Sequence, residues 1–326
     1  MAPSRVPLVY GTSRSIGMPG FGVIPDIKSA QAVIDLFASH GYTRYDTARR
    51  YSGGTAEEAL SKLDLHGGLV DTKSFPAQPG DHSPEKLREE VRTSAQTLAP
   101  HKINVFYLHS PDRSVKFEDT CRAINELHKE GYFTEFGLSN FYSWEVAEIY
   151  TICKTNGWLM PTVYQGVYNV IERTIEPELL LCLRKYGLRI HVYSPLAGGL
   201  LTGKFQNVEQ MRGEDAKGSR WDLSSGNPFV KRLQERYSPL IPIFAELQAV
   251  LDKRGMTLAE AALRWLQHHS QLTPADRVII GASKISQLEQ SMEASEKEAL
   301  PDDIVKLLED AHASVDSRVA HYAAWV

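Results

Sequence analysis

Four side chains carry the chemistry this sequence offers: the carboxylate of Asp46, the phenol of Tyr51, the ammonium of Lys73 and the imidazole of His109. When hydride adds to a carbonyl carbon, negative charge grows on the oxygen, and a donor that can also give up its proton lowers that barrier most. Tyr51 is the candidate acid. A free phenol titrates near ~10, too high to match neutral pH, so a nearby ammonium that favours the phenolate is the expected tuning device. Lys73 is the available cation, and Asp46 would hold it charged and fixed. His109 would hydrogen-bond the carbonyl oxygen and set its approach. Taken singly, each has a plainer reading: Lys73 a solvated surface charge, His109 a satisfied structural residue, Asp46 a turn cap, Tyr51 a rim aromatic.

What ties them together is the alternation of elements. Short β-rich runs are expected at Val6 to Thr12, Tyr42 to Thr47, Leu69 to Lys73, Ile103 to His109, Thr134 to Ser139, Thr162 to Gln165, Arg189 to Ser194 and Arg277 to Gly281. Segments of helical period lie between them, several opened by a cap or a first-turn proline, as in Ser83-Pro84-Glu85 and Glu176-Pro177-Glu178. Eight such rounds predict an α/β fold, a (β/α)8 barrel in one domain spanning residues 1–326. Asp46, Lys73 and His109 close the second, third and fourth runs, and Tyr51 follows the second, so a barrel brings all four to one mouth. A stretch from Pro195 to Pro239, rich in Gly, Ser and charge and without a convincing period, reads as a long binding loop or lid after the seventh strand. A helix and tail end the chain.

Bulk properties exclude more than they assign. Among 326 residues, 42% hydrophobic and 23% charged, there is ample material for a core, and the chain matches no disordered or fibrous composition. A formal charge of -4 leaves no footprint for nucleic acid or an anionic membrane surface. Cys121, Cys153 and Cys182 stand singly, without zinc spacing or an even total, and read as buried thiols. Neither a signal core nor a run of ~18 apolar residues is found, so a cytoplasmic location is the default. Gly198-Gly-Leu-Leu-Thr-Gly203-Lys204 begins like a phosphate loop, but Phe205 stands where a magnesium-binding Ser or Thr is needed. No metal motif is present.

Asp46-Thr-Ala-x-x-Tyr51, Lys73 and Phe106-Tyr-Leu-His109-Ser-Pro-Asp112 resemble the catalytic tetrad of the aldo-keto reductase superfamily. Together with Phe136-Gly-Leu-Ser139-Asn140-Phe141, Gln165-Gly-Val-Tyr168-Asn169 and the Tyr193 to Lys204 segment, they resemble its aflatoxin-aldehyde and succinic-semialdehyde reductase branch. The resemblance implies NADPH-dependent reduction of an aldehyde or ketone to an alcohol. It implies that Ser139, Asn140 and Gln165 hold the nicotinamide carboxamide and that Tyr193 stacks on its ring. Ser194, Pro195, Leu196, Gly198, Leu200 and Lys204 would wrap the pyrophosphate. Gly281, Ser283, Lys284, Gln287 and Gln290 would bind the adenosine end, with Lys284 and Arg220 on a 2′-phosphate. Relatives in that branch are often dimers, so a homodimer is open.

Arg49 and Arg50 stand where many relatives carry smaller or apolar residues, and Ser291 where Asn is common. One of the two arginines, with Arg50 the candidate, is expected to face the pocket and favour a polar or anionic carbonyl compound. Pocket walls are expected from Met18 and Phe21, from Trp221 and Phe229, and from Tyr322 and Trp325. Two other functions compete: a lyase in which Lys73 forms a Schiff base, and a cofactor-sensing subunit of a larger assembly.

Overall fold

A computed structural model describes residues 4–13, 15–18, 22–226 and 228–323, without the side chains of 228, 229 and 316. Phe21, Trp325 and the Phe229 side chain therefore lie outside the described residues. Eight parallel strands close into a barrel: β1 (Leu8–Gly11), β2 (Arg44–Asp46), β3 (Leu69–Ser74), β4 (Ile103–Leu108), β5 (Phe133–Ser139), β6 (Pro161–Val167), β7 (Arg189–Tyr193) and β8 (Arg277–Ile280). All are parallel and paired in sequence order, with β1 against β8 closing the ring. Helices run between them, as in a (β/α)8 barrel.

Outside the stretch that follows β7, helices form close to where period and caps place them. Ile27–Ser39 is capped by Asp26, whose carboxylate accepts from the Ser29 amide at 2.7 Å, and it buries Ala30, Val33, Ile34 and Phe37 on one face. Pro84–Leu98 starts on its proline and buries Leu87, Val91, Ser94 and Leu98. Such one-sided helices cover strands that are buried on both faces, which is why β3 to β7 carry few exposed residues.

Register does the positioning. Asp46 pairs with Gly11 on one side and Asp71 on the other, Lys73 pairs with Tyr107, and Ser139 pairs with Gln165. Inside the barrel the Tyr107 ring fills the space beside Gly137, where an added Cβ would lie 2.3 Å from it. Only glycine fits there, so the residue under Lys73 is set by a glycine on the next strand.

Two sequence expectations need correction. The stretch from Pro195 to Pro239 is not irregular: it folds into short helical pieces at Ala197–Thr202, Val208–Arg212, Glu214–Ala216 and Leu223–Ser225, and into a longer helix at Pro228–Tyr237. Most of the pieces are shorter than two turns, too short to show a period. Cys121 and Cys153 are buried, but Cys182 is only half-buried. Strand and helix bounds otherwise shift by a few residues, the first and second strands each losing two residues at the start and one at the end.

Candidate active site

Asp46, the last residue of β2, and Lys73, near the end of β3, form a buried pair at the carboxyl mouth. The Lys73 Nζ donates to both Asp46 oxygens at 2.7 Å and to the Thr47 carbonyl at 2.8 Å, which uses all three of its protons. Gln165, from β6, donates to Asp46 Oδ1 at 2.8 Å. Burial pushes the Asp46 carboxyl up, and Lys73 and Gln165 pull against it. A buried ion pair must be well hydrogen-bonded to hold, and this one has four such bonds.

Tyr51 follows β2 across a turn stabilised by its own amide donating to the Ala48 carbonyl at 3.0 Å. Its ring lies 5.2 Å from the Lys73 ammonium and meets the His109 ring edge-on at 5.8 Å. His109 sits one residue past β4, its amide donating to the Ser74 carbonyl at 2.8 Å and its carbonyl accepting from Asn140 Nδ2 at 2.9 Å. The imidazole is wedged between Tyr51 and Phe75, with its Nδ1 buried and unpartnered. Burial, Lys73 and Arg50 hold it well below the usual histidine range, so the ring is neutral at physiological pH.

The expected depression of the Tyr51 phenol is not found. Burial pushes the phenol well above its ordinary value and the Asp46 charge adds to that, while Arg220 and Arg50 pull the other way. The physical reason is first the loss of solvation on burial, and Lys73, neutralised by the carboxylate it grips at 2.7 Å, presents little net positive charge to offset it. The phenol is thereby kept protonated, a donor in wait for a stronger base.

The other sequence-predicted residues fall into two groups. Ser139 ends β5, and Asn140, in the left-handed region at φ 63°, donates to Ser139 Oγ at 3.0 Å and accepts from the Tyr193 hydroxyl at 2.8 Å. These join Gln165 on the same mouth. After β7, the chain turns through Ser194 at φ 55° and Gly198 at φ 67°; Pro195 and Leu196 lie between, and Leu200 is buried below. An added Cβ on Gly198 would lie 3.0 Å from Trp221 and 3.3 Å from the Arg220 guanidinium, so Arg220 and the long loop lie directly on this turn. Lys204 is exposed over Phe205. Gly281, Ser283, Lys284, Gln287 and Gln290 form an exposed run leading from β8 into the helix Ile285–Glu296, where Gln287 accepts from the Ser283 hydroxyl at 2.8 Å. A half-buried turn with left-handed backbone beside Arg220, with the exposed Lys204 and Lys284 on the segments that follow β7 and β8, fits a phosphate-bearing dinucleotide.

The wall residues are less uniform. Arg50 lies 4.1 Å above the Phe75 ring and is felt electrostatically by both Tyr51 and His109. Arg49 turns the other way, to Glu57 and the Gly54 carbonyl. Met18 packs beside Lys62. Trp221 is not a wall: it is 2% exposed, donates to the Gly198 carbonyl at 3.2 Å and packs edge-on against Tyr237. Tyr322 is likewise buried, its hydroxyl accepting from the Ser143 amide at the start of the helix Ser143–Asn156. Both are spent on packing.

Sequence reasoning passed over Glu172. It accepts from Asn169, Arg236 and Tyr237, and Asn169 also donates to the Ser194 carbonyl at 3.1 Å. The strap from Pro228–Tyr237 is thus tied to the turn after β7. The signal available was Asn169, which closes a recognised motif.

An eight-stranded barrel with a phenol, an imidazole and a buried ammonium–carboxylate pair at its carboxyl mouth belongs to the class of barrel enzymes that act at strand ends. Residues 7–313 match the sequence profile of the Aldo/keto reductase family. The chain is 39% identical to "Aflatoxin B1 aldehyde reductase member 2" of Mus musculus, covering 98% of this chain and 88% of the relative. It is 40% identical to "Aldo-keto reductase family 7 member A3" of Homo sapiens, over 94% and 96%, and 35% identical to "Aldo-keto reductase pigE" of Monascus ruber, over 98% and 97%. The chain belongs to the aldo/keto reductase family and is an oxidoreductase. Among the described residues no helix is long and apolar enough to cross a membrane, and no cluster of His, Cys, Asp and Glu is placed to hold a metal.

Proposed function

We propose that this chain, as one domain, reduces an aldehyde or ketone to an alcohol with NADPH, and that Asp46, Tyr51, Lys73 and His109 carry the reaction. The cofactor when bound supplies the hydride. The chain's own residues orient the carbonyl and move the proton: His109, neutral and edge-on to Tyr51, directs the oxygen, and the Tyr51 hydroxyl gives it a proton as charge develops there. Lys73 and Asp46 fix the floor beneath that proton. Ser139, Asn140, Gln165 and Tyr193 would hold the nicotinamide end, and Arg220 and Lys284 the 2′-phosphate that separates NADPH from NADH.

The observation that carries this reading is the contact of Tyr51 with both His109, at 5.8 Å between rings, and the Lys73 ammonium, at 5.2 Å from its own ring. Against a Schiff-base lyase stands the full commitment of Lys73, whose protons all go to Asp46 and Thr47. The names of the aflatoxin B1 aldehyde reductases favour aldehydes, and the position of Arg50 over Phe75 favours ones that carry an acidic group.

The test is a panel of carbonyl compounds followed by loss of NADPH absorbance, run beside Tyr51→Phe. A loss of about 10²-fold or more in kcat with unchanged circular dichroism is expected. Equal rates for the two proteins would remove Tyr51 from the role. Tight NADPH binding with turnover too slow to follow in wild type would support the cofactor-sensing subunit instead.

A further inference from the structure

The opposite end of the barrel holds a second charged cluster that carbonyl reduction does not use. Arg44, Arg189 and Arg277 are the first residues of β2, β7 and β8, so all three enter the amino-terminal mouth together. Two carboxylates meet them there. Asp71 accepts from Arg44 at 2.8 and 3.1 Å, and Glu135 accepts from Arg189. Other acids nearby are committed elsewhere: Asp276 to Arg184 at 2.6 and 2.9 Å, and Glu296 to His40 and Tyr42. His191 stands in the same cluster, 4.0 Å from Asp71, and accepts or donates with the Tyr107 hydroxyl at 2.9 Å. Burial and the surrounding arginines keep it neutral.

The cluster is therefore one anion short, and the shortage falls on Arg277. Its Nε is buried without a hydrogen-bond partner. A buried donor on a charged group left unmade is costly, and three guanidinium groups around two carboxylates repel. Arg277 and Arg44 also line a cavity of about 160 Å³, bounded by Leu8, Tyr42, Thr43 and Leu69. Thr43 and Leu69 are exposed, so the cavity opens to solvent. A tetrahedral oxyanion takes about the room of two or three waters at ~30 Å³ each, and fits.

The geometry points to a binding site for a small oxyanion, of the phosphate or sulfate class, between Arg277 and Arg44 at the amino-terminal mouth of the barrel. The anion completes the charge balance of the cluster, and guanidinium forks such as those of Arg277 and Arg44, which line the cavity, suit paired oxygens. It is separate from the cofactor turn, which lies past the carboxyl ends of the strands.

The experiment titrates inorganic phosphate into the full chain saturated with NADPH, at ionic strength held constant with sodium chloride, and reads melting temperature and heat of binding. Saturation with NADPH keeps phosphate off the cofactor turn, and NADPH's own effect on melting reports separately whether that cofactor binds. Wild type is expected to show a saturable rise with phosphate and with sulfate, and none with chloride alone. Arg277→Met is expected to lose at least about tenfold in phosphate affinity, the worth of one charge-assisted hydrogen bond. Thr43→Glu places a carboxylate at the cavity and is expected to raise the melting temperature while removing the phosphate response. No phosphate response in wild type, or an equal response in Arg277→Met, overturns the site. Should Arg277→Met not fold, Thr43→Glu decides, since a response equal to wild type excludes the cavity.

Discussion

Arg49 and Arg50 are consecutive, and the turn that carries them sends their side chains to different neighbours. Arg49 is tied to Glu57, a fully buried carboxylate that also accepts from Thr72 at 2.7 Å. Removing Arg49 would leave that carboxylate without its cation, and a loss of roughly 2 kcal/mol or more in stability is expected for Arg49→Met, read from the urea midpoint. Arg50 has no such duty. Its guanidinium rests 4.1 Å over Phe75, next to the imidazole that would orient a carbonyl. Arg50→Met should lower kcat/KM for an acidic aldehyde by about 10–100-fold while leaving a neutral aldehyde of equal size nearly unchanged, the difference being one charge-assisted contact. Equal losses on both substrates would remove the selectivity role.

At the level of elements, β-rich runs ending in Asp46, Lys73, His109, Ser139, Gln165 and Tyr193 were legible in the sequence because strand period and polar ends coincide there. The side chains' partners were less so. Nothing in the spacing says that the Tyr51 phenol would be buried beside the Asp46 charge, which is what leaves it high instead of low, or that Lys73 would spend all its protons on Asp46 and Thr47. Nor could Trp221 and Tyr322 be sorted from pocket walls, because an aromatic in a loop looks the same whether it faces a ligand or packs beneath one. The turn after β7 shows what Trp221 is for. Gly198 at φ 67° has Trp221 and Arg220 pressed against it, and a methyl there meets both strain and a 3.0 Å contact. Gly198→Ala should push Arg220 off the turn, raising KM for NADPH by about tenfold with a smaller change in kcat. Steady-state kinetics with cofactor varied at saturating aldehyde would check it, and an unchanged KM would separate the turn from cofactor binding.

For the molecule as a whole, buried imidazoles set the response to acid. His82 is held down to about 4 by burial, and His109 and His191 are held well below the usual histidine range for the same reason. Each is neutral in the folded chain but takes a proton at about 6.5 once unfolded. The unfolded state therefore binds more protons below that pH, so the stability they contribute is present above about 6.5 and is lost as pH falls toward 4, at up to about 1.4 kcal/mol per pH unit for each. Asp46 and Glu90 are held above their ordinary values and act with the opposite sign, because folding retains their protons. Asp112 and Asp276 are held below theirs and add to the loss only at lower pH, below their unfolded value of 3.8. With His269 also lowered by burial, four imidazoles against two carboxyls leave a net loss between pH 6.5 and 4. The melting temperature should accordingly fall from pH 7.5 to 5.5, and replacing His82, whose Nε2 is buried without a partner, by Gln should flatten that fall. A melting temperature constant over this interval would mean that the barrel admits charged imidazoles, and the neutral state assigned to His109 would go with it.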